Sequence, residues 1–259
     1  MMLPTVVAAI IFLILAYGYF AERFWIRKTK IAFGNYFNIK FAHLSDIHFS
    51  RESIREKKIL EILQEESIDL IFITGDIVNY RKKFVGYDYL KKIVELRKPV
   101  YFVFGNWDYK VKDLNKLRTD LKNLHIIVLE DEHVIYEKDN IKINIVGISD
   151  PYTKRANLVK AVKGIDKSLY TILLSHSPDI FYEGRDEGIN LILSGHMHGG
   201  QIKLPFVKFA LYAPSKYGSR FLYGLFKEKN TTMYVNKGIG ESHFPIRICA
   251  KPEILIGKI

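Results

Sequence analysis

The chain opens with one long apolar run and then alternates short apolar stretches with amphipathic ones. Leu3 to Phe20, LPTVVAAIIFLILAYGYF, carries no charge and presents no polar face. As a helix, these eighteen residues span ~27 Å at ~1.5 Å per residue, enough for a bilayer core. Tyr17, Tyr19 and Trp25 suit a membrane interface. No Lys or Arg precedes the run and no clean Ala-x-Ala site follows it, which favours an uncleaved anchor over a signal peptide. Arg23, Arg27, Lys28 and Lys30 all follow it. The positive-inside rule then predicts a single-pass anchor in the inner membrane, with the rest of the chain facing the cytoplasm.

Beyond a short basic linker, strand and helix patterns alternate. NIKFAHLS (38–45), DLIFITG (69–75) and PVYFVFG (99–105) read as buried strands. Helices are predicted over 52–66, where Ile54, Ile59, Leu60, Ile62 and Leu63 fall broadly on one side, and over 87–97 and 112–124. HIIVLED, HVIYEK and IKINIVG crowd together with only turns between them, which predicts an antiparallel portion of sheet. LYTILLS (169–175) and INLILSG (189–195) resume the buried pattern, and TTMYVNKG and PEILIGKI read as late strands. The order predicts an α/β fold with two packed sheets flanked by helices. There is no internal repeat, low-complexity tract or second-domain linker. The expected division is an anchor with its basic juxtamembrane segment over 1–28 and a single globular domain over 29–259.

The chemistry lies in where the polar residues fall. The first strand ends in Asp46-Ile47-His48, the second in Gly75-Asp76 and the third in Gly105-Asn106. Later strands end in Ser175-His176 and in Gly195-His196-Met197-His198-Gly199-Gly200. Sites in α/β sheets form beyond the carboxyl ends of strands, so these five stretches should converge. Residues i and i+2 of an extended segment face the same way, so Asp46/His48 and His196/His198 can each supply two ligands to one place. Each motif alone is weak, because a lone buried His is commonly a core residue. All five in order, each closing an apolar strand, point to a metal site.

Composition narrows the class. At 259 residues, 48% hydrophobic and 26% charged, the chain is an ordinary globular one with ample core. Its formal charge of +11 fits nucleic acid, an anionic membrane surface or phosphate-rich substrates as partners. The single cysteine, Cys249, excludes an internal disulfide.

The series DIH, GD, GN, SH and GHMH resembles the five-block signature of the calcineurin-like metallophosphoesterases, from about Asn38 to the C-terminus. The resemblance implies a four-layer sandwich and a binuclear metal centre. One metal ion would be held by Asp46, His48, Asp76 and His198, and the second by Asp76, Asn106, His176 and His196, with Asp76 bridging. Asp46, Asp76, Asn106 and His176 would act in catalysis. Two divalent cations side by side clamp a phosphoryl group and activate a water. The nitrogen and oxygen donors suit Mn²⁺, Zn²⁺ or Fe, with Mn²⁺ favoured by the resemblance.

One position departs from that signature. Where the family usually has His in Gly-Asn-His-Asp/Glu, this chain has Trp107, so a candidate general acid is missing. A diphosphate substrate, whose phosphate leaving group needs no proton, fits that loss. The stretch 201–226 mixes Phe, Leu and Tyr with Lys203, Lys208, Lys216 and Arg220, and reads as an amphiphile-accepting wall beside the metals. With GIGESHFPIRICAKPEI (238–254), it resembles a membrane-associated subgroup that includes the bacterial UDP-2,3-diacylglucosamine pyrophosphatases of lipid A synthesis. That resemblance implies hydrolysis of UDP-2,3-diacylglucosamine to UMP and 2,3-diacylglucosamine 1-phosphate. A phosphodiesterase or phosphatase acting on another envelope lipid is the alternative. A nuclease is disfavoured by the anchor, so no nucleic-acid partner is expected. Trp107, Asp108, Lys203 and Arg247 are the candidate substrate contacts.

Overall fold

In the strands that follow the apolar run, alternate residues serve two different cores. Phe41 of β2 (Lys40–Leu44) points between two sheets with Leu70 and Phe72 of β3 (Leu70–Thr74), while Ala42, Leu44, Ile71 and Ile73 face outward onto helices. This period of two with apolar residues on both faces makes these strands central. The computed structural model describes residues 2–34, 36–49, 54–204, 209–210 and 212–259. Lys208, the first two residues of the predicted 52–66 helix and the side chain of Ile54 lie outside the described residues.

The first sheet runs β1-β12-β2-β3-β4-β5, adding β1 (Arg27–Ala32), β4 (Val100–Val103), β5 (Ile127–Val128) and β12 (Glu253–Lys258). The second runs β10-β11-β9-β8-β7-β6, from β6 (Glu132–Lys138), β7 (Ile141–Gly147), β8 (Tyr170–Leu174), β9 (Leu191–Ser194), β10 (Gly224–Glu228) and β11 (Thr231–Val235). Both are mixed, with antiparallel pairs β12–β2 in the first and β6–β7 and β10–β11 in the second. Helices α2 (Ile54–Glu65), α3 (Tyr87–Val94) and α4 (Leu114–Asn123) cover the outer face of the first sheet. The short α5 (Leu158–Ala161) and α6 (Phe181–Asp186) cover the outer face of the second. The result is the four-layer arrangement expected from the sequence.

Three elements differ from expectation. The basic linker is β1, parallel to β12, and it crosses the expected boundary between residues 28 and 29. Lys28 and Lys30 reach Glu66 of the α2–β3 turn at 2.9 and 2.7 Å, which ties this edge strand down. HIIVLED does not join its neighbours, because its β5 pairs parallel to β4 in the first sheet and only β6 and β7 form the antiparallel pair. Leu225 and Phe226, read as part of a wall, belong to β10, which pairs with β11.

The apolar run forms α1 (Met2–Phe20), exposed along nearly its whole length. Its base is attached to the domain. Gly18 is buried and its carbonyl accepts from Arg247 N–H at 3.3 Å. A side chain there would collide with the Arg247 carbonyl and with Ile246 and Ile248, so the contact requires glycine. Glu22, 2% exposed, accepts from the N–H groups of Cys249 and Ala250 at 3.0 and 2.6 Å.

Candidate metal centre

The parallel strands β2, β3 and β4 of one sheet and β8 and β9 of the other each end at a predicted ligand. Just past those ends the backbone turns left-handed at Asp46, His48, Asp76, His196 and His198, with φ between 45 and 69°. Such conformations cost energy in non-glycine residues and cluster at functional sites. Close approach also sets the packing, since a Cβ on Gly195 would strike Ser45 and Asp46. The expected pairing of i and i+2 therefore needs correcting. Asp46 and His48 do reach one cluster, with His198, but His196 joins Asp76 and His176 in a second. The left-handed turns at His196 and His198, not extended alternation, direct these side chains.

All seven predicted ligands converge in one buried site. The Nε2 atoms of His48 and His198 face each other at 3.3 Å. His48 donates from Nδ1 to the Val78 carbonyl at 2.8 Å, so its Nε2 carries a lone pair. The nearer partner of His198 Nδ1 is the Gly240 carbonyl at 3.3 Å, with the Arg247 guanidinium beyond at 3.5 Å. In the second cluster His176 donates from Nδ1 to the Thr74 carbonyl and His196 from Nε2 to the Pro214 carbonyl, at 2.8 and 2.7 Å. Their remaining nitrogens meet at 3.0 Å, beside Asn106 Oδ1 at 3.0 Å from His176 Nε2. Asp76 Oδ2 joins the clusters, 3.6 Å from His48 Nε2 and 3.4 Å from His176 Nε2. Asp76 Oδ1 is occupied by Trp107 N–H at 2.7 Å, so a single carboxylate oxygen faces both groups. Lone pairs facing one another in a buried site call for cations between them, and these donors suit divalent ions.

Protonation follows the same logic. Burial opposes charge on His176, but the Asp76 carboxylate and Asp46 outweigh it and raise its pKa well above the usual value. Burial, together with the charge on His176, pushes His196 down to about 3, and burial beside His48 and Arg247 lowers His198 well below its ordinary value. Burial pushes Asp76 up, yet the His176 charge and hydrogen bond prevail and hold it low. Asp46 is raised by burial. Two imidazoles thus stay neutral and ready to bind metal, and protons compete with cations chiefly at His176.

Beyond the clusters lies a cavity of about 590 Å³. Trp107 lines it, with its ring edge-on to His48 at 6.1 Å and to His243 at 5.3 Å. Lys110 Nζ sits 3.8 Å over the indole face. Tyr152, 4.5 Å from the His196 ring, and Gln201 complete much of the wall. Lys110 and Tyr152 escape a reading that looks for ligands at strand ends. The only signal for Lys110 is its place three residues after Trp107, one turn along the 3₁₀ segment Asp108–Lys110.

Three expected substrate contacts point elsewhere. Asp108 is fully buried and accepts four backbone N–H bonds, from Asp76, Ile77, Val78 and Gly105, so it fixes the ends of β3 and β4. Arg247 is fully buried and donates to the carbonyls of Lys237, Gly238, Gly240 and Ala250, bracing the loop behind Asp46 and His198. Lys203 is half-buried with Nζ 5.2 Å from the Tyr223 ring, outside the cavity lining.

Comparison with known proteins agrees with this geometry. The family described as calcineurin-like phosphoesterase matches residues 39–200. An uncharacterised metallophosphoesterase of Bacillus subtilis, YkoQ, is 29% identical over 228 residues, 85% of this chain and 83% of that protein. A protein of Escherichia coli named phosphodiesterase YaeI is 30% identical over 251 residues, 92% and 90% of the two chains. In fold the chain resembles TT1561 of Thermus thermophilus, with a TM-score of 0.56 at 12% identity, covering 78% of this chain and 91% of that one. With strand ends, donor set and sequence match in agreement, the chain belongs to the calcineurin-like phosphoesterases and is a metal-dependent phosphoester hydrolase.

Proposed function

We propose that the protein is a membrane-anchored hydrolase that cleaves a phosphoanhydride or phosphodiester bond in an amphiphilic or nucleotide-containing substrate. One metal ion is held by Asp46, His48, Asp76 and His198 and the other by Asp76, Asn106, His176 and His196, with Mn²⁺ the preferred ion. The observation that carries this reading is the buried convergence of acceptors, with Asp76 Oδ2 facing both clusters. When bound, two divalent cations polarise phosphoryl oxygens and supply a nucleophilic water at neutral pH.

The chain's own residues set the rest. Hydrogen bonds from His48, His176 and His196 to carbonyls fix each ring's tautomer and aim. Trp107 replaces a proton donor with a wall, and its indole face holds the Lys110 ammonium at the cavity. A fixed cation beside the phosphates stabilises a departing phosphate without giving it a proton. This favours a diphosphate, and UDP-2,3-diacylglucosamine is the substrate that the sequence resemblance suggests. A phosphodiesterase acting on another envelope lipid is the second reading, supported by the name of the Escherichia coli relative.

Retention of α1 as an anchor is supported by the packing of Gly18 against residues 246–248, which cleavage near residue 20 would remove. The basic residues after the span favour the cytoplasmic side of the inner membrane for the domain. The test is a hydrolysis screen of the detergent-purified full chain with Mn²⁺ over UDP-sugar lipids, phosphodiesters, monoesters and DNA. Preference for a diphosphate lipid is expected, whereas preference for DNA would overturn the reading.

A further inference from the structure

The base of α1 and the mouth of the cavity are joined by one short piece of chain. Gly18, in the last turn of the helix, touches Ile246, Arg247 and Ile248. Ile248 bridges to Ile202, and the Gln201 amide donates to the carbonyls of Phe244 and Ile246 at 2.8 and 3.2 Å. Gln201, Ile202 and Phe244 also line the cavity. If α1 spans a bilayer, Gly18 lies ~3 Å along the axis from the end of the apolar run at Phe20, at ~1.5 Å per residue. Whatever touches it stands where hydrocarbon gives way to headgroups.

The rim at that level is apolar. Tyr212 and Phe244 line the opening and are 65 and 67% exposed, and Leu204 and Phe209, 70 and 62% exposed, lie two and three positions along the chain from the lining residues Ile202 and Tyr212. Large apolar side chains gathered round one mouth are unusual on a free surface and mark a contact. Close by, the exposed Trp25 carries Lys251 Nζ 3.4 Å over its ring, an aromatic and a cation of the kind found at headgroup level. We propose that this rim docks on the surface of the phospholipid bilayer that α1 enters, so that the catalytic cavity opens among the headgroups. The occupant is the bilayer itself, because the rim is continuous with a helix apolar on every side. The inference rests on the membrane reading of α1 given above and adds the orientation of the catalytic mouth.

The experiment is nitroxide labelling of the full chain in a Cys249→Ser background, reconstituted in phosphatidylethanolamine and phosphatidylglycerol vesicles. Labels go in through Leu204→Cys, Phe209→Cys, Ile10→Cys in α1 and Tyr36→Cys, an exposed site before β2 at the opposite end of that strand from Asp46. Collision with oxygen is expected to exceed collision with a water-soluble nickel chelate at 10, 204 and 209, with the order reversed at 36. If position 10 is in lipid while 204 and 209 behave like 36, the docking is wrong and the anchor stands. If position 10 is itself in water, the membrane reading falls and the docking falls with it.

Discussion

The Nε2 atoms of His48 and His198 face each other across 3.3 Å, and His48 has its other ring nitrogen committed to a carbonyl. With His198 Nδ1 donating to the Gly240 carbonyl, both Nε2 atoms carry lone pairs, which repel unless a cation lies between them. Removing divalent metal is therefore expected to destabilise the fold. At a free Mn²⁺ concentration ~100 times the dissociation constant, each site should contribute about 2.7 kcal/mol. Thermal unfolding with Mn²⁺ and with excess chelator measures this, and equal midpoints would contradict it.

His43 gives a pH dependence separate from the ligands. It is fully buried in β2 with Nε2 2.8 Å from Thr74 Oγ1, and burial pushes its pKa down to about 3. From ~6.5 down to that value the unfolded chain binds a proton that the folded chain refuses. Its contribution is fully present above ~pH 6.5 and is lost as pH falls toward about 3. His43→Leu should flatten the acid side of the stability curve by up to ~1.4 kcal/mol per pH unit. Urea unfolding of both proteins between about pH 7 and about pH 5 tests the slope.

The base of α1 makes a prediction about truncation. A chain beginning at Glu22 keeps the carboxylate that caps the Cys249 and Ala250 N–H groups, together with all of β1. A chain beginning at Thr29 loses the cap and two residues of the β1–β12 ladder. The shorter chain should be less stable by roughly 2 kcal/mol or more, on the scale of two hydrogen bonds to a charged group. Denaturant midpoints compare them, and equal stability would mean that the clamp contributes nothing.

The five ligand-bearing blocks were legible because each follows an apolar strand, and strand ends are where α/β sheets build sites. Less was legible about direction. His196 and His198 look alike as i and i+2, yet left-handed turns send them to different clusters. β1 was missed and β5 assigned to the wrong sheet for a related reason. Arg27–Ala32 is polar and half-exposed, and its strand state comes from pairing with residues more than two hundred positions away. Only two residues of HIIVLED form β5, too few to show a period. Arg247, a candidate substrate contact in the sequence, is a buried brace instead. Its full burial among carbonyls depends on a loop closure that no local pattern records.

Trp107 and Lys110 should act together. Lys110→Met is expected to lower kcat/KM on a diphosphate by ~10-fold, about 1.4 kcal/mol of barrier, with metal content unchanged. Trp107→His removes the indole beneath the ammonium and supplies a proton donor. It should gain on alkyl phosphodiesters while losing on the diphosphate. A leaving-group series for wild type and both variants measures this. A rate independent of leaving-group pKa in the wild type would assign the proton to another residue, with His243, 5.3 Å from the indole, first in line.

The proposed bridge at Asp76 rests on one carboxylate oxygen that faces both clusters. Asp76→Asn keeps the side chain's shape and leaves an oxygen for Trp107 N–H, but removes the charge whose Oδ2 faces both clusters. The direct measurement is the Mn²⁺ content of purified wild type, Asp76→Asn and His198→Ala by elemental analysis after equilibration at one free Mn²⁺ concentration. Two equivalents per wild-type chain, loss of both in Asp76→Asn and loss of one in His198→Ala are predicted. Two equivalents retained by Asp76→Asn would contradict a shared bridge.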